Sequence, residues 1–186
     1  MTRLVGLAGS LRKASFNAGL LRAAVAEAPE GVELVPAGIE GIPVYDGDLE
    51  TAEGIPEAVT RLNDLVAGSD GLILFSPEYN NSLPGPFKNA IDWMTRPKGD
   101  IARVFRGRPV AVVGASPGGF GTILGQNAWL PVLRTLGTRP WFEGRLMVSR
   151  AGSAFDAAGE LTDDNVREQL RVFLAGFAAF AADQAG

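Results

Sequence analysis

The strongest constraint on how this chain folds is an alternation. Short apolar runs of strand length take turns with segments whose apolar residues recur at helical spacing, from one end of the sequence to the other. "RLVGLA" (3–8), "VELVPA" (32–37), "GLILFS" (71–76) and "PVAVVGAS" (109–116) read as strands, and residues 138–148 hold a fifth of uncertain limits. "GLILFS" is apolar on both faces, as a central parallel strand covered on both sides must be. Between the strands, residues 17–28 carry Leu20, Leu21, Ala24, Val25 and Ala28 at helical spacing, and residues 56–67 carry Val59, Leu62, Leu65 and Val66. Residues 86–94 and 123–136 are the next helices, and 38–50 read as a loop rich in Gly and Pro. In the last helix Val166, Leu170, Phe173, Leu174, Phe177, Phe180 and Ala181 form one stripe, and Asp163 and Asp164 sit at its positive end. This order predicts an α/β protein, a parallel sheet with helices on both faces. No repeat or linker divides residues 1–186, so one domain is expected.

Composition matters here for what it removes. The chain has neither Cys nor His. Disulfides, thiolate nucleophiles and thiolate metal sites are excluded, as are zinc-hydrolase and serine-histidine chemistries. An enzyme built from this sequence needs carboxylates, Lys, Tyr or a bound cofactor. The net charge of −4 disfavours nucleic acid as a partner. No apolar run approaches the ~18 residues of a membrane helix, and the first residues meet charge too soon for a signal peptide. The cytoplasm is the expected compartment.

In sheets of this kind, ligands bind beyond the carboxyl ends of the strands, where strand order reverses. The loops after strands one, three and four are "GSLRKASFN" (9–17), "PEYNNSLPG" (77–85) and "SPGGFG" (116–121). The first packs Ser10, Arg12, Ser15 and Asn17 ahead of a helix, whose amino end suits a phosphate. Gly6 and Gly9 let the chain turn closely. The bland alternative is an ordinary turn with Ser15 as N-cap and Arg12 in solvent. Neither G-x-x-x-x-G-K-[ST] nor G-x-G-x-x-G is present, so the donors suit a mononucleotide phosphate better than a pyrophosphate.

"GSLRKASFN" together with "SPEYNNSLPGPFKNAIDW" (76–93) resembles the NAD(P)H-dependent FMN reductase family, which includes quinone and chromate reductases. The resemblance implies a flavodoxin-like three-layer sandwich with five parallel strands in the order 2-1-3-4-5. It implies FMN as bound cofactor and NAD(P)H as co-substrate, with hydride passed to a small acceptor such as a quinone, free flavin, azo compound or chromate. Carried over residue by residue, it places Ser10, Leu11, Arg12, Ser15 and Asn17 around the FMN phosphate. Pro77, Glu78, Tyr79 and Asn80 lie along the ring, largely through backbone groups, with Ser116 as a further donor. It also implies a homodimer or homotetramer.

Other readings remain beside it. Glu78 either tunes the ring or shapes its loop. Lys88 and Asp92 read as a helical ion pair, Asn89 as a loop-fixing residue, and Trp93 as part of a subunit contact. Arg96, Lys98, Arg103, Arg106 and Arg108 either meet nucleotide phosphates or form a solvated loop. A flavodoxin-like electron carrier is the alternative function, and a hydrolase with Ser10 as nucleophile lacks both a His base and a G-x-S-x-G elbow.

Overall fold

The computed structural model describes residues 1–183. Strands β1 (Thr2–Ala8), β2 (Val32–Ala37), β3 (Gly71–Phe75) and β4 (Pro109–Ala115) alternate with helices α1 (Phe16–Ala26), α2 (Gly47–Glu53), α3 (Glu57–Ala67) and α4 (Gly85–Met94). Helix α5 (Ile123–Thr135), two short strands β5 (Arg139–Pro140) and β6 (Met147–Val148), and helix α6 (Asp164–Ala182) follow. The sheet order is β2-β1-β3-β4-β5 with every pairing parallel, which is the flavodoxin-like arrangement expected.

Alternation along the strands builds two cores. On β1, Leu4 and Ala8 face one layer while Val5 and Leu7 face the other, and β3 divides Ile73 and Phe75 from Leu72 and Leu74 in the same way. One layer packs Leu20 and Leu21 of α1 with Leu170, Phe173, Leu174 and Phe177 of α6. The other packs Val59 and Leu62 of α3, Phe87 and Trp93 of α4, and Trp129 of α5. Pro36 lies in β2, an edge strand, where its missing N–H costs no ladder bond. The last helix starts as expected: the Asp163 carboxylate caps it, accepting from Asn165 N at 2.8 Å and Val166 N at 3.0 Å.

Three local readings need correction. The fifth strand is broken: β5 pairs with β4 at Val110↔Pro140 and β6 pairs with it at Gly114↔Met147, so four steps along β4 oppose seven along its partner. The surplus loops out between Trp141 and Leu146 and leaves a sixth strand of two residues. The loop at 38–50 ends in helix α2, capped by Asp46 through Asp48 N at 2.8 Å; none of its residues is buried, so no apolar stripe announced it. Trp93 makes no subunit contact. It is wholly buried in its own chain, donates from Nε1 to Pro43 O at 2.9 Å, and meets Tyr45 edge-on at 5.0 Å.

Candidate functional site

The loops after β1, β3 and β4 converge at the carboxyl ends of their strands and enclose a slot of about 230 Å³. Ser10, Arg12, Ser15 and Asn17 contribute from the first loop, Pro77, Glu78 and Tyr79 from the second, and Ser116 from the third. Leu11 and Asn80 do not line it; both are exposed. Phe16, Ala115 and Pro117, not singled out from the sequence, do line it. Phe16 and Pro117 lay inside loops already suspected, but a motif read for donors passes over apolar walls.

The first loop is built to present donors. Ser15 caps α1, its Oγ accepting from Ala18 N at 3.3 Å. The backbone N–H groups of Phe16 and Asn17 have no protein acceptor among the described residues, as expected for a helix's first turn. Ser10 and Ser15 are both buried, and a hydroxyl that accepts a bond still has a proton to donate. Arg12 folds over its own loop, its Nη2 donating to Ala14 O at 2.5 Å and its guanidinium lying 5.3 Å from the Phe16 ring centre. Gly9 sits here for space: a Cβ on it would fall 1.9 Å from Phe87 Cδ1. Gly6 likewise leaves room for Leu21, 2.4 Å from where its Cβ would be. Neither has the positive φ of a tight turn.

Asn17 is already engaged. Its Nδ2 donates to Ala115 O and its Oδ1 accepts from Ala115 N, both at 2.9 Å. Its carboxamide therefore ties the first loop to the end of β4 at the wall of the slot, with one amide hydrogen beyond that pair.

The second loop is a two-residue hairpin. Tyr79 and Ser82 exchange backbone bonds at 3.0 and 3.1 Å, and Asn80 and Asn81 take φ of 51° and 62° at its tip. Both central residues of such a turn need positive φ, which Asn tolerates better than most. The Glu78 carboxylate accepts from Gly125 N at 2.7 Å. Asn89 fixes a different loop, bonding Tyr45 N and Pro43 O at 2.8 Å each. Lys88 and Asp92 form the expected i,i+4 pair at 2.6 Å. In the third loop Ser116 Oγ accepts from Gly118 N at 3.2 Å.

The basic stretch is largely occupied at home. Arg96 pairs with Glu50 at 2.8 Å, and this bond, with that from Tyr45, holds the Glu50 carboxyl below its ordinary range. Arg103 grips Asp100 through two nitrogens and reaches Asp64 at 2.7 Å. Arg108 donates to the carbonyls of Val104, Ser69 and Ala67, and burial lowers its pKa. Val104 and Phe105, within a π-helical turn over Ile101–Phe105, are core residues. Lys98 and Arg106 have no ion-pair partner among the described residues.

A second cavity, about 170 Å³, lies between α5 and the break in the edge strand. Its walls are mostly apolar, including Val110, Leu130 and Trp141, and no Ser, Thr or Tyr is among the described residues that line it. The donor chemistry is in the slot. Two buried hydroxyls, two free N–H groups and a guanidinium suit a phosphate monoester, and apolar walls with a backbone-rich turn suit a flat ring. FMN fits this donor set.

A flavodoxin-like sheet with such a slot defines a flavoprotein of the mononucleotide-binding class. The chain belongs to the NADPH-dependent FMN reductase family, whose model matches residues 2–153. It is 40% identical over 169 residues to an NAD(P)H-dependent FMN reductase of Pseudomonas aeruginosa, covering 91% of this chain and 89% of that one. It is 32% identical over 182 residues to a 2-hydroxy-1,4-benzoquinone reductase of Burkholderia sp., covering 98% and 97%. The flavoenzyme NAD(P)H:(acceptor) oxidoreductase FerB of Paracoccus denitrificans superposes with a TM-score of 0.84 at 34% identity, covering 98% of each chain. The protein is thus an oxidoreductase with FMN as flavin cofactor and NAD(P)H as co-substrate. No helix among the described residues is long and apolar enough to cross a membrane.

Proposed function

We propose that this protein is a single-domain cytoplasmic reductase that uses bound FMN to pass reducing equivalents from NAD(P)H to a small oxidised acceptor, a quinone first among them. The observation that carries this is the meeting, in one slot, of the donors at the α1 amino end with Pro77, Glu78 and Tyr79 of the second loop and Ser116 of the third. Ser10, Ser15, Arg12 and the N–H groups of Phe16 and Asn17 hold the phosphate. Backbone groups of residues 77–79 and the Ser116 hydroxyl orient the ring, and Phe16, Pro77 and Pro117 exclude water from its edge. Bound FMN supplies the hydride-accepting chemistry, which is how a chain without His or Cys carries out redox work. No side chain is required as a dedicated acid or base for hydride uptake.

The quinone reductases among the relatives favour a quinone over free flavins, azo compounds and chromate, which an open flavin face also admits. Both substrates use that face in turn, so turnover is ping-pong. Phe142, 65% exposed, and Leu130 beside it on α5 leave apolar surface that suits a homodimer or homotetramer. The test is a panel of acceptors offered to FMN-loaded protein with NADH and NADPH. NAD(P)H oxidation that depends on a quinone, with parallel double-reciprocal lines, is the expected result. A protein that binds FMN but oxidises neither nucleotide is an electron carrier, and the reductase reading fails.

A further inference from the structure

The hairpin at 77–82 projects from the sheet with an exposed tip, and two backbone bonds close it. Among the described residues, one side-chain hydrogen bond ties residues 77–82 to a neighbouring element. The Glu78 carboxylate accepts from Gly125 N at 2.7 Å. Gly125 is the third residue of α5, so its N–H has no acceptor within the helix, and a helix amino end favours a negative charge. The hairpin lies flat against this end of α5: a Cβ on Gly125 would stand 3.2 Å from Ser82 O and 3.3 Å from Glu78 Cβ. Where the hairpin leaves β3, a separate bond anchors it, from Trp129 Nε1 to Ser76 Oγ at 2.8 Å. Helix α5 is itself the continuation of the third loop, residues 116–122.

We propose that Glu78 is a positioning residue whose carboxylate clamps the ring-side hairpin onto the amino end of α5. The clamp couples the second and third loops and so sets the width of the flavin slot. Its charge is committed to the helix end, not to the flavin. This deepens the FMN reading and rests on it for the flavin, but the clamp exists in the protein without cofactor.

The experiment compares Glu78→Ala and Glu78→Gln in the full chain, with and without FMN. Loss of a charge-assisted bond predicts that, in FMN-free Glu78→Ala, the Gly125 amide exchanges hydrogen at least about tenfold faster and FMN binds about tenfold more weakly. In Glu78→Gln the carboxamide oxygen accepts the same N–H. Exchange and FMN affinity there stay within about threefold of the parent, and the flavin midpoint potential does not move. Unchanged Gly125 exchange in Glu78→Ala overturns the clamp. So does a midpoint potential that shifts in Glu78→Gln, because the charge would then face the ring. If Glu78→Ala does not fold, a Glu78→Gln protein that loses FMN affinity overturns it equally. Parent protein that refuses FMN defeats the flavin reading alone, since amide exchange still tests the clamp.

Discussion

Asn17 and Ala115 bond to each other twice, side chain to backbone, as neighbouring strands do. A helix residue thereby completes the ladder at the end of β4, beside the slot. Asn17→Ala leaves a buried N–H and C=O unpaired and should cost about 2–4 kcal/mol in urea unfolding. Asn17→Asp keeps an acceptor for Ala115 N but sets a buried carboxylate against Ala115 O. Its folded pKa is then raised, so its deficit relative to the parent should narrow as pH falls through that value. Equal stability of all three proteins at neutral pH would show that the paired bonds carry no weight.

The phosphate and the ring should be separable. Arg12→Ala removes a charge-assisted contact, so FMN affinity should fall about tenfold or more. Riboflavin, which lacks the phosphate, should bind parent and variant alike. Fluorescence titration with both ligands decides it, and an equal loss for the two would move Arg12 away from the phosphate.

Two glycines near the slot should behave oppositely. Gly9→Ala drives a methyl into the wholly buried Phe87 ring and should cost about 1–3 kcal/mol. Gly119→Ala meets nothing within 4 Å at an ordinary φ and should stay within about 0.5 kcal/mol of the parent. Thermal melts of the apoproteins distinguish them.

The basic stretch should act on stability rather than on nucleotide choice. Arg103→Ala should lower Tm while leaving the NADPH to NADH ratio of kcat/KM unchanged, because its guanidinium is held by Asp100 and Asp64. The bond from Arg103, then that from Asn63, keeps the Asp100 carboxyl below its ordinary 3.8. That stabilisation is complete above 3.8 and lost as pH falls through the lower folded value. Asp100→Asn should therefore be less stable at neutral pH and show a shallower decline of Tm below pH 3.8.

What the sequence made legible was whatever repeats or caps. The apolar β3, the stripe of α6 with Asp163 before it, and the helix of α3 all announce themselves through periodicity. The donors of the first loop were visible because a helix amino end with hydroxyls and a cation has few other uses. The tie that Asn17 makes to Ala115 was not legible, because that partner lies 98 residues along the chain. Separation along the chain also hid the tie between Glu78 and Gly125. Arg103 and Arg108 looked free since their acceptors are remote carboxylates and backbone carbonyls, which no local pattern marks.

The interruption between β5 and β6 has a bearing on solubility. An unbroken fifth strand would offer a continuous row of open N–H and C=O groups along that border of the sheet, ready to recruit an extended segment from another molecule. Split into two pairs of residues with a looped-out stretch between them, the border gives an incoming strand no run long enough to zip onto. On the far side Pro36 removes one donor from the opposite border. Both margins of the sheet are thus closed to cross-β growth, and this chain should resist fibril formation even when concentrated.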